Sequence, residues 1–313
     1  MIVTLVLAAA SAAAMRYLGV FSLQRLSLSP PRQSSLSLMH VVAAFILYMG
    51  IAIFAFIVSG YHPAAPGHSP TIDEIMRMYS ADTISRLAAA GFVLFLAAMY
   101  TVDGLQGWGL SMPHIPQGVR NGLLTFLLIV PILLLTSMAT QFALNQFGVK
   151  PPLPHPILQL LQQHPPAPLV ALLFMTASIV APLSEEFFFR GLLQTALSQR
   201  DPSGLNQLLG SRKPYIPGFP LYPHSSTAIT QTPPTPDASI PPSPARRWLA
   251  ILATSTIFAA IHGEPAFFPV LFVLAVALGY IYERTGNLWS SITVHAAFNS
   301  TQLILTLYFA PTS

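Results

Sequence analysis

Cysteine is absent from this 313-residue chain. That excludes disulfides, thiol catalysis and cysteine-ligated zinc, so a zinc site would have to be built from His, Asp or Glu. Charge is nearly as scarce: 8% of residues are charged, against roughly 25% in an ordinary soluble domain. The basic residues are scattered and never cluster beyond Arg212-Lys213 and Arg246-Arg247. The formal net charge of +4 therefore describes no nucleic-acid surface, and no nucleic-acid partner is expected. The chain also has no HExxH and no internal repeat, which counts against a zincin and against a repeat-built transporter.

What the chain has is apolar length. Hydrophobic residues make up 53% of it, and runs near the ~20 residues that cross a bilayer as a helix recur about eight times. They lie near 2–20, 36–60, 85–105, 118–147, 168–198, 247–263, 266–284 and 288–309. The expected fold is all-α, a polytopic membrane bundle of about eight helices. The first run lacks a positively charged leader and reads as a retained span rather than a cleaved signal.

Residues 1–150 contain four spans without a recognisable motif, and residues 168–309 carry the polar residues of interest. Residues 61–84, with Asp73, Glu74 and Asp82, read as an extracytoplasmic segment, and 201–246, rich in Pro, Ser and Thr, as a disordered cytoplasmic insertion. With the N-terminus outside, the cytoplasmic loops hold Arg16, Arg25, Arg32, Arg120, Arg200, Arg212, Lys213, Arg246, Arg247 and Arg284, against Arg77, Arg86 and Lys150 on the other side. The excess of basic residues favours that orientation.

Three charges interrupt the fifth span in "LSEEFFFRG", residues 183–191. Each ionised group at mid-membrane costs at least ~2.5–3.5 kcal/mol if unpaired. Glu186 and Arg190 are four apart and share a helix face, which allows an ion pair. Glu185 points roughly 140° from Arg190 at about 100° per residue, leaving it the freer carboxylate. Pro182 is placed to kink the helix beside the pair. Further on, Phe258 and His262 are one turn apart, as are His295 and Asn299. Taken singly, each pattern is as well explained by helix packing as by function.

Together they make an intramembrane polar pocket suited to hydrolysis. A desolvated carboxylate helped by an imidazole can take a proton from water, and a second imidazole with an amide can stabilise an oxyanion. Ser184 has no histidine at i+4, so a covalent mechanism is not expected. Zinc on Glu185, His262 and His295 stays open as an alternative to a metal-free site.

At these residues the chain resembles the CAAX prenyl protease and bacteriocin-processing family, also called the abortive-infection family. The family motifs EExxxR, FxxxH and HxxxN read here as Glu185 to Arg190, Phe258 to His262 and His295 to Asn299. The resemblance implies a membrane-embedded glutamic endopeptidase, a family long labelled metalloprotease, with no required cofactor. Glu185 would activate water with His262 assisting, Glu186 and Arg190 would orient the site, and His295 and Asn299 would form the oxyanion hole. It further implies a peptide substrate, prenylated or bacteriocin-like, in a bacterial cytoplasmic membrane with the site open to the cytoplasm. The competing readings are a non-proteolytic immunity or scaffold protein and a proton-coupled carrier.

Overall fold

A backbone in hydrocarbon must satisfy its own hydrogen bonds, so long apolar runs can cross only as helices or as closed barrels. Helices are what form in the computed structural model, which describes residues 2–30, 32, 34–60, 70–149, 155–198 and 242–309. Among the described residues there is no strand, only an isolated bridge between Ser34 and Thr101. The helices are α1 (Ile2–Tyr17), α2 (Leu23–Ser27), α3 (Leu38–Val58), α4 (Ile72–Tyr100) and α5 (Ile115–Gln146) in the first half. Then come α6 (Pro156–Gln162), α7 (Ala167–Ser198), α8 (Pro244–Ala260), α9 (Phe268–Thr285) and α10 (Leu288–Phe309).

Each of the eight apolar runs falls on one of these helices. Five are long and apolar enough to cross a membrane: α3, α4, the stretch Gly104–Gln146 that contains α5, α7 and α9. Helices α1 and α8 have 16 and 17 residues. The 22-residue α10 is long enough but carries His295, Asn299 and Gln302, which lower its mean hydropathy. The lipid-facing character is plainest in α3, where Ala44 is the buried residue and Phe45, Ile46, Ile53, Phe54 and Ile57 are exposed. Such a face is stable only against hydrocarbon or another apolar surface.

The segment 61–84, which reads as a loop between spans, is helical from Ile72 onward, where α4 begins. Thr71 and Glu74 form a capping box: the Glu74 carboxylate accepts from the Thr71 N–H at 2.7 Å, and Thr71 Oγ1 accepts from the Glu74 N–H at 3.3 Å. Two N–H groups with no partner inside the helix are satisfied this way, so the helix starts well before its apolar stretch. Asp82 and Arg86 are therefore helical and well inside α4. The expected insertion lies outside the described residues except for 242–246.

One end of the bundle is tied by side chains. Arg32 and Arg247 both pair with Glu283 near the end of α9, and Asn287 Nδ2 donates to the His114 carbonyl at 2.9 Å. Trp108, fully buried, packs directly on Gly191, where a Cβ would come within 2.3 Å of the indole. Only glycine lets that ring close over α7 one residue from Arg190.

Candidate active site

The site is built around an irregular α7. Two π-helical stretches, Thr176–Val180 and Phe187–Gln194, flank the α-helical Ala181–Glu186. Such bulges occur frequently at functional sites. In the first stretch the Ala181 N–H reaches back five residues to the Thr176 carbonyl. The next donor in that register would be residue 182, which as proline has none. Asn299 Nδ2 takes its place, donating to the Ala177 carbonyl at 2.8 Å. Pro182 thus creates a carbonyl on which α10 is pinned to α7, leaving Asn299 one further N–H.

Glu186 and Arg190 form the pair that their spacing predicts. Arg190 Nη1 donates to Glu186 Oε1 at 2.9 Å, and both side chains are fully buried. Arg190 also donates to the Ala275 carbonyl at 3.3 Å and lies over the Phe258 ring, 4.7 Å from its centroid. His295 joins the pair from α10, its Nδ1 donating to Glu186 Oε1 at 2.9 Å. That bond leaves His295 Nε2 facing Glu185 Oε2 at 3.8 Å, too far for a direct hydrogen bond and about the distance that one bent water bridge spans.

Phe258 is the hub between the histidines. It is fully buried, with ring centroids 4.8 Å from His262 and 5.7 Å from His295. Helix α8 stops at Gly263, which adopts φ +75°, a conformation that glycine adopts readily. His262 Nδ1 lies 2.7 Å from the Phe258 carbonyl and donates to it, satisfying a carbonyl at the helix end. That fixes the tautomer: the Nε2 of neutral His262 carries a lone pair. Glu185 lies within electrostatic range of both His262 and His295.

Glu185 is less free than its direction on α7 suggests. Arg86 of α4 donates from Nη1 to Glu185 Oε1 at 2.9 Å and from Nε to Asp82 Oδ2 at 2.9 Å. Arg86 is a site residue that motif reading missed, because its spacing to Glu185 is 99 residues. The T-x-x-E capping signal at 71–74 would have extended α4 over it and placed Asp82 and Arg86 one turn apart. His155, the N-cap of α6, was missed as well. Its Nδ1 accepts from the Ile157 N–H at 3.3 Å, and it lies within electrostatic range of His262, Glu185 and Arg86. Partial desolvation by nearby protein atoms and the neighbouring His262 hold the exposed His155 imidazole below the usual histidine value.

Among the described residues no group of three His, Asp or Glu is arranged to hold a metal ion. The bond from His295 Nδ1 to Glu186 leaves Nε2 as the ring nitrogen that faces the site.

Arg246 and Arg247 begin α8 at the end tied to Glu283 and Arg32, whereas His262 follows the other end of the same helix. Arg86 is 14 residues from the end of α4 at Tyr100, about 20 Å from the basic end at ~1.5 Å per residue. The site therefore sits well inside the bundle, away from the basic end along both α4 and α8.

A family model described as type II CAAX prenyl endopeptidase Rce1-like matches residues 167–211 and 239–301. The match takes in all three motifs and agrees with the family they resemble. No curated protein and no solved structure matches the chain. With the helices long and apolar enough to cross a membrane, the match supports an integral membrane protein, and the matching family is one of proteases, which act on a peptide or protein.

Proposed function

We propose that the chain is an intramembrane endopeptidase in which Glu185 activates a water held between its Oε2 and the histidines. The observation that carries this reading is the 3.8 Å separation of Glu185 Oε2 from His295 Nε2 beside a fully buried Glu186–Arg190 pair. Glu185 takes a proton from the water, whose oxygen attacks the peptide carbonyl carbon. The free lone pair on His262 Nε2 orients that water. The tetrahedral oxyanion receives a hydrogen bond from the remaining Asn299 N–H, with His295 Nε2 beside it on the same helix face. The proton held by Glu185 then passes to the leaving nitrogen as the C–N bond breaks, giving a new carboxyl and a new amine. Glu186 and Arg190 hold His295 in place throughout.

The substrate class follows the name of the matching family, a prenylated C-terminal peptide. By the loop-charge rule the Ser243 end of α8 faces the cytoplasm and the Gly263 end faces away from it. Because the chain has no cysteine, single Ser243→Cys and Gly263→Cys variants labelled with a membrane-impermeant maleimide in sealed vesicles read the two ends separately. Labelling of both variants from the same side would sink the assigned topology.

The reaction is tested with quenched-fluorophore peptides on purified protein in detergent. Cleavage lost in Glu185→Ala and kept with a strong chelator supports the glutamic mechanism, whereas loss with the chelator points to a metal. Wild type that is folded yet cleaves neither prenylated nor unprenylated peptides would overturn the protease reading.

A further inference from the structure

We propose that Arg86, braced by Asp82, is a positioning residue of this site: its guanidinium holds Glu185 by Oε1, so that Oε2 is the oxygen presented to the water. The inference rests on the reading of Glu185 as the base. Neither Arg86 nor Asp82 belongs to the three motifs, and both lie outside the matched residues 167–211 and 239–301.

The argument is geometric. Glu185 has no brace on its own helix. Arg190 is bonded to Glu186 and Ala275, and the Ser184 hydroxyl donates to the Ala181 carbonyl at 3.1 Å. Among the described residues, Arg86 is the hydrogen-bond donor to Glu185, at 2.9 Å. A carboxylate on a rotatable stem would otherwise offer either oxygen to the water, or neither. The guanidinium commits two different N–H groups, Nε to Asp82 and Nη1 to Glu185. Its plane is therefore fixed at one side by a residue one turn away on α4, and its fork is aimed at α7 from the other. A lysine ammonium would supply the same charge without that directionality.

Burial sorts this pair from the neighbouring one. The Arg86 and Glu185 side chains are 25% and 19% exposed, whereas Arg190 and Glu186 are fully buried. Glu185 is thus held and still reachable, the combination a base needs. Errors of about 1 Å in such a constellation can cost ~10²-fold in rate.

The test compares Arg86→Ala, Arg86→Lys, Asp82→Asn and Glu185→Gln with wild type in the peptide assay, with thermal unfolding of each. Arg86→Ala is expected to lower kcat about 100-fold with KM within about twofold of wild type. Millimolar guanidinium should restore part of that loss, and should restore nothing in Glu185→Gln. Arg86→Lys should fall between, and Asp82→Asn should lose about tenfold, since the charge stays but its aim loosens. Arg86→Ala with unchanged kcat, beside an inactive Glu185→Gln, would overturn the inference while leaving the base reading intact. So would a loss that appears in KM alone, or one that follows the unfolded fraction and does not respond to guanidinium. A Glu185→Gln variant as active as wild type would remove the base reading itself, and this inference with it.

Discussion

Two buried ionic clusters stand at different depths in the same bundle. At the basic end, Glu283 is held by Arg32 and Arg247 and receives a hydrogen bond from Gln194 at 3.0 Å. No side chain in its ion pairs is more than 5% exposed, and it contains no histidine. Nearer the middle, Glu185, Glu186, Arg86 and Arg190 meet His295, and here Glu185 and Arg86 keep a fifth to a quarter of their surface open. The first cluster is built of a carboxylate, two guanidinium groups and an amide, all sealed from water. The second adds an imidazole and a reachable carboxylate. Buried charge alone therefore does not mark a catalytic site. It takes a group that can exchange a proton and a path for water to reach it.

The comparison is broken most directly by neutralising one carboxylate in each cluster. Glu185→Gln should reduce cleavage by about 10²–10⁴-fold, the range for loss of a general base, with thermal unfolding close to wild type. An equally active variant would put both clusters in the structural class. Glu283→Gln should do the reverse, destabilising the fold by about 3–5 kcal/mol through two arginines left without their partner, while the molecules that remain folded still cleave. Denaturation in mixed micelles, read beside activity per folded molecule, separates the two outcomes.

A smaller effect sharpens the catalytic side. Asn299→Ala removes both the pin to Ala177 and a proposed oxyanion donor, so kcat should fall about 10²-fold. Asn299→Asp, which cannot donate to the carbonyl, should be no better. If Asn299→Asp kept wild-type kcat, the oxyanion role would be lost. The smallest effect concerns His155. Its folded-state value lies below the ordinary 6.5, so fold and unfolded chain hold the same neutral form above that pH, and stability is lost as pH falls from about 6.5 through the folded value. His155→Gln should flatten that decline in melting temperature between about pH 7 and pH 5, and an unchanged slope would show that the imidazole is not coupled to folding.

Much of this was written in short stretches of chain. The Glu186–Arg190 pair and the contact of Phe258 with His262 follow from helical spacing alone, because side chains three or four residues apart meet whatever the rest of the fold does. The helical, membrane-embedded class followed equally from apolar length and scarce charge, since hydrocarbon leaves the backbone few alternatives. The start of α4 was also legible, in a capping box hidden by the polar residues that follow it, which made the segment look like a loop.

Other features were beyond any reading of spacing. That Arg86 would clasp Glu185, that His295 would reach Glu186 across 109 residues, and that Asn299 would supply the donor Pro182 lacks depend on which helix faces lie against one another. The same holds for the separation of the basic end from the motif residues, which emerges when α8 carries Arg247 at one end and the chain just beyond its other end carries His262. By itself the sequence determined the helices, the local pairs and the chemistry on offer, because these depend on period and composition. Tertiary structure alone decided which carboxylate is braced and which stays sealed, because those depend on long-range packing that no local pattern encodes.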